Sequence, residues 1–314
     1  MPFSLADAVS MQLTRHLDAN ATLVSLIQPL ATREGFLPTP MEQVRIVTAR
    51  SNVSRSPQIY EPSLMVVAQG SKLAYLGERT LEYGAGHYLV QALPVPFECE
   101  TFATPEAPLL GVSIGIDRSV LGELVLAMGP EEVQPARVQT PESMVSSPLD
   151  TAMREAVERL LRCLHDPLEC RILGAMRLRE VLFVALRGPQ GGALKALVEQ
   201  RGQFARIAAS LTYLHHHYAE PLNVDQLARC ANMSTSAFHE HFKRSTLVSP
   251  VQYLKRLRLI KAQQLLVAQR FNVSQVALQV GYQSASQFSR EYKRYFDHSP
   301  AAERHEHPSA EAAS

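Results

Sequence analysis

Two short sets of polar side chains in the last third of this 314-residue chain have the types and spacing to read DNA bases. The clearer set is Ser284, Ala285, Ser286, Gln287, Arg290 and Lys293. Arginine pairs bidentately with guanine and glutamine with adenine, so Arg290 and Gln287 are the expected base readers. The other set is Ser234, Thr235, Ser236, His239, Glu240 and Lys243. Of these, Ser236, His239, Glu240 and Lys243 recur at i, i+3, i+4 and i+7, which places them on one helix face. Glu240 is able to accept from the cytosine amino group, and a solvated or intrahelical partner is the competing expectation for it.

Each set needs a helix that presents it and a second helix that holds the first. Val276, Ala277 and Val280 recur at helical spacing and form the buried face of one short helix. Gly281 ends that helix, because glycine takes the left-handed C-terminal conformation without a Cβ clash. Ser284 caps the helix that follows, with Phe288 and Tyr292 turned inward and Gln287, Arg290 and Glu291 on the other face. The same arrangement occurs earlier in the chain. Asn223 caps a helix whose apolar face is Val224, Leu227, Ala228 and Ala231. Asn232-Met233 makes the turn, and Ser234 caps a helix whose Phe238 and Phe242 point in. Between the copies, Pro250 starts a helix to about Val267, with Leu254, Leu257, Leu265 and Leu266 inward. At roughly 25 Å this spacer suits two recognition helices about 34 Å apart, one turn of DNA. Two helix-turn-helix units on one chain are therefore expected.

On these residues the region 203–300 resembles the DNA-binding domain of the AraC/XylS family. The matches are Leu227-Ala228, Ser234, Phe242-Lys243, Ser249-Pro250, Tyr253-Leu254, Arg258, Ala262 and Leu265-Leu266. They continue through Val276-Ala277, Val280-Gly281-Tyr282, Phe288-Ser289-Arg290, Lys293, Phe296 and Ser299-Pro300. The resemblance implies double-stranded promoter DNA and RNA polymerase as partners. Two positions depart from it. Glu240 stands where family members often carry Arg, which bears on base preference. Asp297 stands where Gly is usual, which bears on the last helical turn.

The charge pattern agrees. The whole chain has 31 Lys+Arg and 30 Asp+Glu, a net of +1. Residues 203–300 alone hold 12 and 5, a net of +7, and the remainder is −6. A basic module on an acidic partner is the electrostatic footprint of nucleic-acid binding confined to one domain. Four cysteines at 99, 163, 170 and 230 form no CxxC pair and no disulfide framework. No secretory leader or long apolar run is evident, so a cytoplasmic protein without a membrane anchor is expected.

Upstream, residues 1–37 read as helical, with Leu13, Leu17, Leu23, Leu26, Ile27 and Leu30 apolar, until Pro38-Thr39-Pro40 breaks the pattern. Short apolar runs then alternate with turn signals: Val44–Ala49, Ser63–Gln69, Lys72–Leu76, His87–Ala92, Phe97–Ala103 and Leu109–Ile116. Strands at this spacing suggest a small antiparallel barrel or jelly roll. Tyr60-Glu61-Pro62-Ser63-Leu64, Gln69-Gly70-Ser71-Lys72, Tyr83, Tyr88-Leu89-Val90 and Leu93-Pro94-Val95 resemble the cupin-like N-terminal domain of one AraC-type subfamily. The resemblance implies a small-molecule effector held in a pocket here. His87, Tyr88, Val90, Phe97, Cys99 and Ile114 are the candidate lining residues. The lumen faces are mostly apolar, so an uncharged or weakly polar effector is expected. A strongly anionic one needs a basic partner. Lys72 and Arg79 are the nearest bases, and both sit beside turns, where solvation is expected.

A cupin-like barrel also raises the possibility of metal-dependent catalysis. A metal cupin uses a His-x-His pair plus Glu, and His87 alone cannot supply three or four ligands. Neither a metal, nor another cofactor, nor a catalytic residue is expected. Cys99 lies between Glu98 and Glu100, whose charge raises a thiol pKa and argues against reactivity.

Asp117–Gly129 reads as a helix leaving the barrel, and Pro130–Pro148 as a linker. Leu149–His165 and Pro167–Arg187 read as an apolar-striped helical hairpin, a candidate dimerisation element. Leu173, Met176, Leu178, Leu182, Phe183 and Leu186 form the second helix's stripe. Gly188–Gly192 is the expected interdomain hinge. The run His215-His216-His217 ends a helix begun at Gln203. Neighbouring helical residues diverge by about 100°, so the three do not converge on one ion. A solvated helix end near DNA phosphates is expected.

The expected fold is α+β: a cupin-like β-barrel with a helical hairpin, then an all-α domain with two helix-turn-helix motifs. The expected divisions are 1–130 for effector sensing, 131–192 for hairpin and linker, 193–300 for DNA binding and 301–314 as a tail. The leading function is a sequence-specific transcription regulator switched by a small effector. A cupin-type metal enzyme with an accessory DNA-binding domain is the alternative, and a general DNA-packaging protein is the third.

Overall fold

The structure, a computed structural model, describes residues 20–129, 141–198, 202–268 and 271–306. The chain divides into two compact units. The first holds Tyr60–Pro94, Cys99–Glu199 and the residues up to Arg55. The second holds Gln200–Ser314 with the short segments Ser56–Ile59 and Val95–Glu98.

In the first unit, helix α1 (residues 20–27) buries Leu23 and Ile27, and the helical reading of residues 1–37 fails beyond it, because Gly35 takes a positive φ and Gly35–Pro38 is a strand. Leu13 and Leu17 lie outside the described residues. Strands β1 (Gly35–Pro38), β2 (Val44–Ala49), β3 (Val53–Gln58), β4 (Ser63–Gln69) and β5 (Ser71–Leu76) follow. Then come β6 (Arg79–Gly84), β7 (His87–Gln91), β8 (Phe97–Phe102), β9 (Leu109–Gly115) and β10 (Met144–Pro148). They form a six-stranded sheet in the order β1-β2-β9-β4-β7-β10 and a four-stranded sheet in the order β3-β8-β5-β6. These two sheets are the expected cupin-like β domain.

Register decides which side chains share a face. Val44 lies opposite Ile114, Ile114 opposite Leu64, and Leu64 opposite Val90. Val66 pairs in turn with Val112 and with Tyr88. Opposed residues point the same way, so Ile114, Leu64, Val90 and Tyr88 belong to one face of the six-stranded sheet. On that face Tyr88 reaches the helical segment. The Tyr88 hydroxyl sits 3.1 Å from where a Cβ on Gly188 would stand, and Tyr88 is close enough to Asp150 to feel its charge.

The helices that follow in this unit are α2 (Arg118–Met128), α3 (Thr151–Cys163), α4 (Pro167–Arg187) and α5 (Gly191–Ala196). Asp117, Asp150 and Asp166 cap the first three by accepting backbone N–H groups. Helices α3 and α4 form the expected hairpin, tied by Arg159 to Glu180 at 2.9 Å. The face of α4 differs from expectation. Leu178, Leu182 and Leu186 are buried, but Met176 is exposed, and with Leu168 and Ile172 it makes an uncovered apolar row.

Two other expectations change. The stretch read as a linker contains β10, which pairs with β7 through Met144 opposite Gln91. Residues 130–140 of it lie outside the described residues. Gly188–Gly192 is no free hinge: Gly188 caps α4, and Gly191 begins a buried helix whose end is held by Arg118 donating to the Leu197 carbonyl at 2.6 Å. The division between units falls at residues 199–200 instead.

The second unit is helical: α6 (Gln203–His217), α7 (Val224–Cys230), α8 (Thr235–Thr246), α9 (Pro250–Val267), α10 (Val273–Gln279), α11 (Ala285–Phe296) and α12 (Pro300–Glu306). Pairs α7–α8 and α10–α11 are the two helix-turn-helix units. Both first helices start with a capping box, Asn223 with Gln226 and Asn272 with Gln275. Both turns need a left-handed residue, supplied by Asn232 and by Gly281.

At Gly281 the requirement is stricter than φ alone. A Cβ there would run into the Ala219 carbonyl oxygen and lie 2.9 Å from the Arg258 guanidinium. Arg258 itself donates to the carbonyls of Tyr218 and Glu220 at 2.7 and 2.8 Å, which fixes it in place. Gly281→Ala is therefore expected to cost about 1–2 kcal/mol for the backbone conformation alone, and more for the clash. Calorimetry should show the transition of the second unit lowered by about 5 °C or more; an unchanged transition would mean the close approach is not tight.

Candidate nucleic-acid interface and sensor interior

Ser234 and Ser284 cap α8 and α11 by accepting the N–H groups of Ala237 and Gln287. Each cap starts a recognition helix with its inner face fixed by aromatic rings. Phe238 and Phe242 are fully buried, and Phe242 meets Tyr253 of α9 edge-on at 5.4 Å. Phe288 and Tyr292 are fully buried and meet each other, Tyr282 and Phe296 in edge-on and tilted contacts along one aromatic row. Anchoring these rings leaves the opposite faces to solvent.

Ser234, Thr235, Ser236, His239, Glu240 and Lys243 are all exposed. So are Ser284, Ser286, Gln287, Arg290 and Lys293, while Ala285 is half-buried against the core. The structure thus brings each expected set together on one helix. Thr235 donates to Asp225 at 2.8 Å, which joins the start of α8 to α7. Glu240 lies 4.0 Å from Arg244, a loose intrahelical partner at a site where both side chains are largely exposed.

Glu291 departs from expectation. It does not share the open face with Gln287 and Arg290 but is only 20% exposed. It accepts from the Tyr282 hydroxyl at 2.9 Å and pairs with Lys255 of α9 at 3.1 Å. Burial alone would raise its pKa, yet hydrogen bonds from Lys255, Tyr282 and Gln287 hold the carboxylate below the ordinary range. Gln287 reaches Glu291 at 3.4 Å, so this base-reading candidate is oriented from behind.

The histidine run also differs. His215 is hydrogen-bonded to the Tyr253 hydroxyl at 2.7 Å, His216 to the Thr212 carbonyl, and His217 to Glu220. The three diverge as expected, but His215 belongs to the core rather than to a solvated end. Among the described residues, no three His, Cys, Asp or Glu gather so as to hold a metal ion. Among them, too, no helix is long and apolar enough to cross a membrane.

The candidate effector residues separate. Tyr88, Val90 and Ile114 lie on one face of the six-stranded sheet, and His87 is exposed. Phe97 and Cys99 alternate as buried residues on β8 of the other sheet. The interior between the sheets contains instead Lys72, which the sequence reading expected to be solvated beside a turn. On β5, Lys72, Ala74 and Leu76 are buried and alternate with half-exposed neighbours, so Lys72 points inward. It is 5% exposed, which corrects the expectation of a solvated side chain. The alternation of β5 was the available signal. Arg79 is exposed as expected, paired with Glu142 at 2.7 Å. Lys72 lies opposite Tyr83, whose hydroxyl is 3.6 Å from the Cys99 sulfur.

This is the architecture of a two-domain regulator: a β sensor-type unit followed by a paired helix-turn-helix unit. Comparison with known proteins agrees. The N-terminal domain of AraC-type transcriptional regulators matches residues 40–193, and a helix-turn-helix domain matches residues 227–306. The chain belongs to the AraC-type transcriptional regulators.

The HTH-type transcriptional activator RhaS of Escherichia coli O139:H28 (strain E24377A) is 34% identical over 96 residues, 31% of this chain and 34% of that protein. RhaS of E. coli O1:K1 is 29% identical over 147 residues, 46% of this chain and 52% of that protein. The chain thus spans about a third to a half of the length of these relatives. ToxT from Vibrio cholerae O395 shares the fold, with a TM-score of 0.56 at 10% identity over 85% of this chain and 98% of that one. Unsaturated fatty acid-bound ToxT from V. cholerae strain SCE256 gives 0.54 at 11% identity, over 86% of this chain and 96% of that one.

A carboxylate of α12 closes the second core. Glu303 is 4% exposed, accepts from the Tyr292 hydroxyl at 2.8 Å and pairs with His298. Burial pushes its pKa up, but the hydrogen bonds from His298, Tyr292 and Gln263 outweigh this and lower it. A carboxylate depressed on folding contributes fully above its unfolded pKa, about 4.3, and loses that contribution as pH falls through the folded value. Glu303→Gln is therefore expected to flatten the acid side of the stability curve below about pH 5, read by urea unfolding across pH. An acid slope identical to wild type would remove Glu303 from this role.

Proposed function

We propose that the chain is a sequence-specific, effector-controlled transcription regulator rather than an enzyme. It acts in the cytoplasm on double-stranded promoter DNA and RNA polymerase. The observation that carries the reading is the pair of serine-capped helices α8 and α11, each with an aromatic inner face and an open polar outer face. Arg290 and Gln287 read bases from α11; Ser236, His239 and Glu240 do so from α8, with Lys243 and Lys293 alongside. Two distinct recognition helices suit base reading and are superfluous for packaging, which relies on backbone contacts and deformation.

The test is binding to the chain's own promoter against random DNA at fixed salt, where a regulator gives a ratio of about 10³ or more. Arg290→Ala should cost about 1–3 kcal/mol on the specific site and less on random DNA. Equal losses on both would reduce Arg290 to a phosphate contact.

We also propose that the protein is a homodimer through α4. Leu168, Ile172 and Met176 are 59%, 63% and 65% exposed at successive helical turns, and a second copy of the same row is a self-complementary cover. Ile172→Arg is expected to convert the dimer to monomer in sedimentation experiments. A wild-type chain that sediments as a monomer at tens of micromolar would dismiss the proposal.

A further inference from the structure

The inside of the sensor unit contains a cation without a counter-ion. Lys72 is buried on β5, and among the described residues no carboxylate pairs with it. An ammonium taken out of water in this way is costly unless something negative meets it. Burial pushes the Lys72 amine below the ordinary lysine range, and the adjacent Cys99 sulfur pulls it part of the way back.

The surroundings share one character. Tyr83 faces Lys72 across the β5–β6 pair, and its hydroxyl contacts Cys99. Tyr60 reaches the same sulfur, and burial raises the pKa of both phenols, keeping them protonated. Ammonium, phenols and thiol are all hydrogen-bond donors. A second and independent observation comes from the other sheet. Gln91 is 1% exposed and donates to the Tyr60 carbonyl at 2.9 Å, yet its Oε1 has no partner. On β7 Gln91 alternates with Tyr88 and Val90, so it points away from the face on which Tyr88 meets the helical segment and toward this cluster. An unmatched buried cation and an unmatched buried acceptor mark a polar network that is incomplete without a ligand.

We propose that Lys72, Tyr83, Tyr60 and Cys99 form the head-group site of the effector, and that the head group is a carboxylate. The ligand's carboxylate accepts from the Lys72 ammonium and the phenols. Its apolar remainder lies among the buried aliphatic side chains of the two sheets. Gln91 Oε1 takes a hydroxyl or amide hydrogen where the ligand carries one. This assignment rests on the effector-controlled reading above, and it replaces the uncharged effector that the sequence alone suggested.

The probes are octanoate and benzoate, each beside its methyl ester, titrated into the full chain and followed by saturation-transfer NMR. At least one carboxylate is expected to bind wild type, and its ester at least tenfold more weakly. Lys72→Met should weaken the carboxylate by tenfold or more, and Tyr83→Phe by a few-fold. Both variants keep the buried volume, and Lys72→Gln provides a second uncharged form should Lys72→Met not fold.

Silence of both carboxylates on wild type, or equal binding by the folded Lys72 variants, overturns the proposal. So does a borohydride-trapped octanal adduct on Lys72 without carboxylate binding, which would make the site a carbonyl trap. Promoter discrimination measured on the same preparations separates the two readings. If it persists while the carboxylates fail, only the head-group assignment falls. If it is absent while they bind, the regulator reading falls.

Discussion

Helix α9 has to be buried by two cores at once, and the DNA-binding unit depends on that. Tyr253 and Leu257 near its start are fully buried, and Tyr253 packs on Phe242 of the first helix pair. Leu259, Ala262 and Leu266 further along join Val276, Val280, Phe288 and Tyr292 of the second pair. A helix with one partner carries a single apolar stripe, whereas α9 buries two stripes on roughly opposite sides. The polar residues it retains are placed between the cores. Lys255 holds Glu291 of α11, and Arg258 holds the Tyr218 and Glu220 carbonyls after α6, on either side of the Ala219 carbonyl against which Gly281 packs. A rigid spacer is what base reading by two helices needs, because the register of one on DNA then fixes the register of the other.

Much of this unit was legible because its signals are local. Serine caps, the Gly281 turn and paired aromatics four residues apart each act within one turn of helix. The strands of the first unit were legible where they are apolar: β2 and β4 fall on the expected residues. β1 lies where the apolar pattern reads as the end of a helix; the other strands missed have a common cause. β3 buries none of its residues fully and β6 buries only Tyr83, so neither presents an apolar run. β10 is five residues long and is defined by pairing with β7, a partner more than fifty residues away. Glu291 was misplaced for a similar reason. Its partners Tyr282 and Lys255 come from a turn and another helix, and helical periodicity contains nothing about them.

The interior of the sensor unit illustrates the same limit from the other side. The candidate lining residues were chosen by type, aromatic or aliphatic on a strand, and type does not say which face a strand turns inward. Register does. Tyr88, Val90 and Ile114 share one face because each lies opposite a residue of that face on its neighbour, and Tyr88 on it meets the helical segment. A single-residue shift would have exchanged them with Leu89, Gln91 and Ser113. Lysine beside a turn is ordinarily solvated, and only the alternation of Lys72 with Ala74 and Leu76 marks it as buried. Where burial and type disagree in this way, the disagreement itself carries functional information, since a fold without use for an internal cation would replace it with a hydrocarbon side chain.

The two recognition helices share a scaffold but not a chemistry. The outer face of α11 centres on Arg290, a fixed cation with a planar fork suited to guanine. The outer face of α8 centres on His239 and Glu240 with Lys243 beside them, and Arg244 lies loosely against Glu240. A carboxylate facing phosphates is repelled unless it is paired or finds a donor on a base edge. If Glu240 reads a base as proposed, the first half-site is recognised under a stricter condition than the second. On the proposed reading Glu240 gains a partner where cytosine presents its amino group; where it does not, the carboxylate has only Arg244, itself held by Gln203 and His241. Discrimination by α8 would then come as much from penalising wrong sites as from favouring the right one.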